Sequence, residues 1–143
     1  MSNLGIRRSV VIHQPREKVY RAVVDPTELA RYFVDEASGP LETGNTVIWR
    51  WQEERDETHC EEATENERLV LTWKPYKVTD YTTRCTITFQ PTKEEGATKV
   101  ELEEVGWRDD ETGVASMVEH SSGWTHMLLC MKAYLEHGVD LRH

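Results

Sequence analysis

The stretch that decides the fold is 111–137, ETGVASMVEHSSGWTHMLLCMKAYLEH. It contains no proline, and Gly138 follows it as a natural C-terminal stop. We set Trp124 at zero and step about 100° per residue. Met117, Ser121, Leu128, Met131 and Leu135 then fall within roughly 60° of it, and His120 lies about 40° away. Glu119 and His126 fall on the opposite face. The segment reads as one helix of about seven turns with a continuous inward stripe.

Such a helix needs a partner surface, and the preceding sequence supplies one. Strand patterns occupy 46–52, 57–65, 69–74, 81–89 and 98–105. Leu69, Leu71 and Trp73 share a face. Tyr81, Thr83, Cys85, Ile87 and Phe89 alternate with polar residues, and Val100 and Leu102 face away from Lys99, Glu101 and Glu103. Short turns at 66–68 and 94–96 join them, as in an antiparallel meander with one polar face. Upstream, 6–13 reads as a strand ending before Gln14-Pro15. Pro15 suits a first helical turn, and Val19, Tyr20, Val23 and Val24 follow at helical spacing. Asp25-Pro26 stops that helix and opens a shorter one carrying Leu29, Tyr32 and Phe33. Residues 34–45 read as a loop.

The expected fold is therefore α+β: a curved, six-stranded antiparallel sheet gripping a long C-terminal helix, with two short helices between strands 1 and 2. The chain has 143 residues, which suits one domain spanning 1–143. No run of about 18 apolar residues exists to cross a membrane, and Met1–Arg8 do not resemble a secretory signal. The formal charge of −9 repels phosphate backbones and anionic lipid, which argues against nucleic acid as a partner. Cys60, Cys85 and Cys130 are an odd number without CxxC spacing, so reduced thiols in the cytoplasm are expected.

Candidate site residues lie on the inward faces. Trp49, Trp51 and Trp73 on strands, Trp107 after Gly106, and Trp124 on the helix either fill the core or line a cavity. Cys85, Ile87, Leu102 and Met117 would line the same space. Glu104 alternates with Val100 and Leu102 and should point inward, as should His120. A carboxylate and an imidazole on facing elements can pair, either as an ion pair at a cavity mouth or as a base with its orienter. His59, Cys60, Glu61 and Glu62 are adjacent and point to alternate faces, so they make no metal site, although Cys60 with Glu62 could share a side. Ser121-Ser122-Gly123 reads as small residues that let the helix approach the sheet. His13 and His126 read as surface residues, and His137 and His143 as part of a frayed terminus. No nucleophile elbow, P-loop or dinucleotide fingerprint occurs, so no cofactor is expected.

The ordered set of motifs resembles the SRPBCC (START-like, helix-grip) superfamily. Within it, the chain is most similar to homologues of the heat-shock protein 90 ATPase activator C-terminal domain. The matching stretches are Val11-Ile12-His13-Gln14-Pro15 through Val19-Tyr20, with Asp25-Pro26 and Leu29; Glu67 to Trp73; Glu104-Val105-Gly106-Trp107; and Gly123-Trp124 with Leu128 and Tyr134-Leu135-Glu136. The resemblance implies a helix-grip fold. It also implies binding of a small hydrophobic or amphipathic ligand between sheet and helix, with co-chaperone-like protein interaction as the alternative and cyclase or hydratase chemistry third. In the eukaryotic co-chaperone a separate N-terminal domain makes much of the chaperone contact, and this length leaves no room for one.

Overall fold

A computed structural model describes residues 4–74 and 80–142. The elements run β1 (Leu4–Ile12), α1 (Arg16–Val24), α2 (Pro26–Leu29), β2 (Glu36–Ala37), β3 (Thr46–Trp51), β4 (Glu54–Thr64), β5 (Arg68–Trp73), β6 (Thr83–Pro91), β7 (Thr98–Trp107) and α3 (Glu111–His137). All strands pair antiparallel in one sheet ordered β1-β7-β6-β5-β4-β3-β2. Consecutive strands are neighbours throughout the meander, and β1 closes it by returning beside β7. The helix-grip expectation holds. No helix among the described residues is long and apolar enough to cross a membrane.

The strand number is corrected from six to seven. β2 lies inside the stretch read as a loop and pairs Glu36 with Arg50 and Ala37 with Trp49. Two residues cannot display a period of two, so the sequence pattern carries no signal for it. β4 also starts earlier than the polar pattern indicates. Trp51 pairs with Glu54, so Gln52-Glu53 form a two-residue hairpin turn, with Gln52 at φ +49°. That turn lacks the Asn-Gly or Asp-Gly wording that announces such hairpins.

Two bulges shift which side chains face the core. In β4 the register slips between Cys60 and Glu62. Cys60 stays buried, whereas Glu62 lies opposite Val70 and pairs with Arg68. Cys60 and Glu62 therefore do not share a side, contrary to the strict alternation assumed from sequence. At the end of β7, Gly5 pairs with Val105 but Leu4 pairs with Trp107, leaving Gly106 as the extra residue at φ +112°. A backbone of that hand favours glycine. The slip turns Trp107 inward, where it is fully buried.

α3 lies along β1, joined by a polar seam. The Arg8 guanidinium donates to Ser121 Oγ and to Thr125 Oγ1. Gln14 Nε2 donates to the Leu135 carbonyl at 2.9 Å, and Lys132 donates to the carbonyl of Val11. Glu136 accepts from the His13 backbone N–H at 2.8 Å and from Lys132 at 2.7 Å. These bonds hold the Glu136 carboxyl down to about 2, the Lys132 bond contributing most. His13 also contacts Glu136 through its ring, while His126 and His137 are exposed. His143 lies outside the described residues.

The start of α3 is fixed by Asp110, whose side chain accepts from the Gly113 N–H at 2.7 Å. Gly113 is the glycine that permits close approach: a Cβ there would lie 2.0 Å from the Arg108 carbonyl oxygen. Gly123, assigned that role from sequence, is exposed and has nothing within 4 Å of its Cβ direction, and Ser122 beside it is also exposed. Both lie on the solvent side of the helix.

Two predictions follow from these contacts. Gly113→Ala forces backbone to move and should lower stability by about 1–3 kcal/mol or more, whereas Gly123→Ala, in an exposed helix interior, should raise it by roughly 0.5–1 kcal/mol; urea denaturation measures both. The depressed Glu136 carboxyl contributes stability that is complete above its ordinary value of 4.5 and is lost as pH falls through about 2. Glu136→Gln should therefore be less stable at neutral pH and show a flatter stability profile across that acid range.

Candidate functional site

Glu104 comes from the inward row of β7 and has no exposed surface. A buried carboxylate is very costly unless its lone pairs are met. Here they are met by three side chains from two elements. Thr83 of β6 donates its hydroxyl to Oε2 at 2.6 Å. Trp124 of α3 donates its indole N–H to Oε1 at 2.7 Å. His120 Nδ1 stands 2.9 Å from Oε1 and 3.0 Å from Oε2. The spacing of His120 and Trp124, four residues apart on one helix, places both groups on the same turn-to-turn row. Cys85 lies opposite Glu104 in the ladder, and its thiol is pushed well up by burial and further by the Glu104 charge. Burial also raises Cys60 and Cys130, and the three cysteines are free thiols.

The His120 side chain is 12% exposed, and its ring is held on three sides. Trp73 stacks on it with centroids 5.8 Å apart, and Trp107 meets it edge-on at 5.4 Å. Glu104 occupies Nδ1. Nε2 meets no polar partner among the described residues. The Trp107 indole N–H turns away to Ser116 Oγ at 3.3 Å.

The aromatic side chains continue as a chain of contacts across the concave face. Trp124 meets Trp73 at 5.4 Å, Trp73 meets Trp49 at 6.5 Å, Trp49 meets Trp51 at 6.3 Å, and Phe33 meets both Trp49 and Trp51. Trp49, Trp107 and Trp124 are buried, as are Cys85, Ile87 and Leu102. Trp51, Trp73 and Met117 are half-buried. The rings at the centre thus fill the core, and the two half-covered tryptophans mark where the concave face opens.

Asp56 stands at that opening and was not recognised from sequence, because the strand containing it was started one residue later. It lies opposite Trp49 in the β3–β4 ladder and so shares the concave face. Burial pushes its carboxyl up from the ordinary value, the facing His120 pulls it back, and the Glu54 charge raises it again. Its tip is exposed, yet its surroundings are protein, as expected at the lip of a groove. Thr83 was on the inward row read from sequence but was not singled out; a hydroxyl opposite Trp73 gains meaning only once the register is known.

The sequence-based expectation of an enclosed pocket lined by these tryptophans is not what the concavities show. One, of about 630 Å³, lies between α1 and the loop before β3, lined by Tyr20, Val24, Pro40 and Leu41 among others, with Arg21, Asp25, Glu42 and Glu65 charged around it. Another, of about 240 Å³, is walled by the charged residues Glu61, Glu62, Arg68 and Arg84 with Val70. Neither holds a buried titratable pair. The aromatic groove is the stronger site because its chemistry is assembled there. No group of three or more potential metal ligands occurs among the described residues.

Glu104 supplies the site's own test. Trp124→Phe keeps a ring and removes one donor from the carboxylate, so stability should fall by about 1–3 kcal/mol. Thr83→Val should cost a similar amount, and the two losses should not add, because they share one acceptor. Guanidinium denaturation of both single variants and the double variant checks this.

Solved structures with the same architecture include the protein SSP2350 from Staphylococcus saprophyticus, 29% identical, with a TM-score of 0.80 over 97% of this chain and 96% of that one. The Aha1 dimer from Colwellia psychrerythraea is 19% identical, with a TM-score of 0.78 over 94% and 98%. CalU16 from Micromonospora echinospora is 20% identical, with a TM-score of 0.72 over 96% and 78%. No curated protein is significantly similar to the chain. The profile of the activator of Hsp90 ATPase homolog 1-like proteins matches residues 13–136. With the helix-grip fold described above, that match makes the chain a member of the activator of Hsp90 ATPase homolog 1-like family, within the SRPBCC superfamily.

Proposed function

We propose that the protein binds a small amphipathic molecule in the groove between α3 and the β3–β5 side of the sheet. The observation that carries this reading is the pair of half-covered tryptophans, Trp51 and Trp73, facing inward beside a nearly buried imidazole whose Nε2 is free of partners among the described residues. Apolar walls with a few convergent polar atoms are the usual composition of a small-molecule site. Trp73 is the central wall, since its ring touches Trp49, His120 and Trp124. Trp51 forms the outer wall, and its indole N–H is tied to the Phe33 carbonyl at 2.9 Å. The ligand's apolar body would cover these two faces and its polar group would meet Nε2. The site residues named from sequence serve here as wall and support: Trp49, Trp107, Trp124, Cys85, Ile87, Leu102 and Met117 behind the groove, and Glu104 holding His120.

A second reading has its own observation. Val114, Val118 and Leu129 are exposed on the outer face of α3, and a row of that kind suits a protein partner, in keeping with the chaperone connection in the family's description.

The neutral dye N-phenyl-1-naphthylamine separates the two. We expect saturable one-to-one binding with enhanced dye emission. Trp73→Ala and Trp51→Ala should weaken it by about tenfold or more, roughly 1.4 kcal/mol, with far-UV circular dichroism confirming that the variants fold. Val118→Ser should leave it unchanged. Non-saturable binding, or binding lost in Val118→Ser and retained in both tryptophan variants, would overturn the proposal.

A further inference from the structure

We infer that the groove selects ligands bearing an ammonium group on an apolar body over ligands of the same body bearing a carboxylate. The inference rests on the groove reading and deepens it by naming the ligand's polar group.

Four features point the same way. The faces of Trp51 and Trp73 carry the negative side of the ring quadrupole, which attracts a cation and repels an anion. Asp56 shares the concave face with Trp49 and forms no ion pair among the described residues. Glu54 lies opposite Trp51 on the same lip. The Glu104–His120 pair at the floor is negative when the imidazole is neutral and has no net charge when it is protonated. The groove's charge, summed over Asp56, Glu54 and that pair, is therefore negative in either state of His120. The whole chain adds a field of −9.

The floor favours a donor as well. With the Nδ1 proton given to Glu104, the neutral ring presents its Nε2 lone pair, which accepts from N–H. A carboxylate placed there would face that lone pair and the Asp56 charge together. An ammonium would have an acceptor, an aromatic face and a carboxylate within one short groove, and the crowding that pushes the Asp56 carboxyl up is relieved by a bound cation.

The experiment uses three probes of one body: 4-phenylbutylamine, 4-phenylbutanol and 4-phenylbutyrate. Each displaces N-phenyl-1-naphthylamine from the full chain, with tryptophan emission as an independent readout. The amine should bind about tenfold tighter than the carboxylate, with the alcohol between them. Asp56→Asn should shrink that ratio to about threefold or less, leaving the alcohol's affinity unchanged. Glu119→Gln, on the exposed opposite face of α3, changes net charge equally and should keep the full ratio. Equal or tighter binding of the carboxylate, or a ratio that Asp56→Asn does not alter, would overturn the inference and leave the groove standing. If none of the three binds by either readout, the groove reading falls and this inference with it.

Discussion

A carboxylate sealed from water is the constraint around which this molecule is arranged. Glu104 reaches no solvent, so every lone pair it leaves unmet would cost as much as several good packing contacts contribute. Its three partners come from β6 and from two successive turns of α3. Sliding the helix by one residue would remove both His120 and Trp124 at once. Apolar packing alone tolerates such slippage, because Leu, Met and Trp grip a sheet without strong directional demands. The buried acid supplies the missing direction and fixes both the roll of α3 and its position along the sheet.

The same residue sets the boundary between what sequence shows and what it hides. Alternation in β7 places Glu104 inward, and a 100° step places His120 and Trp124 on the facing stripe, so their meeting is legible before any coordinates exist. Its depth is not. An ion pair at a watery mouth and one under a tryptophan lid have the same pattern, and they differ only in how far neighbouring elements extend over them. Thr83 shows a related gap: its inward direction is readable, but its role depends on the β6–β7 register. Asp56 was missed for a simpler reason, since a hairpin turn of Gln52-Glu53 carries none of the usual turn residues and the strand was started too late.

Where alternation itself fails, bulges are the cause. One extra residue at Glu61 separates Cys60 from Glu62, and another at Gly106 rotates Trp107 into the core. A period of two has no memory across such an insertion. Glycine carried a hint in the second case and not in the first. In α3 the hint misled: Gly123 stands next to the central tryptophan but faces solvent, whereas Gly113, at the helix start, is the one pressed against backbone. Proximity in sequence to an important side chain says little about which face of a helix a residue occupies.

The filled centre and the open lip then have one explanation. α3 is bound to the β1 side of the sheet by its polar seam and to the floor by Glu104. It therefore cannot also cover β3 and β4, and the tryptophans there are left partly bare. The strand that would carry apolar cover at that edge, β4, instead begins with Glu54 and Asp56 on the exposed part of its inward face, before the buried Thr58 and Cys60. A sheet edge meant only to be closed would place apolar residues opposite Trp49 and Trp51. Carboxylates there keep water and charge at the lip of an aromatic surface, so whatever covers that surface must be apolar on one side and suited to negative charge on the other.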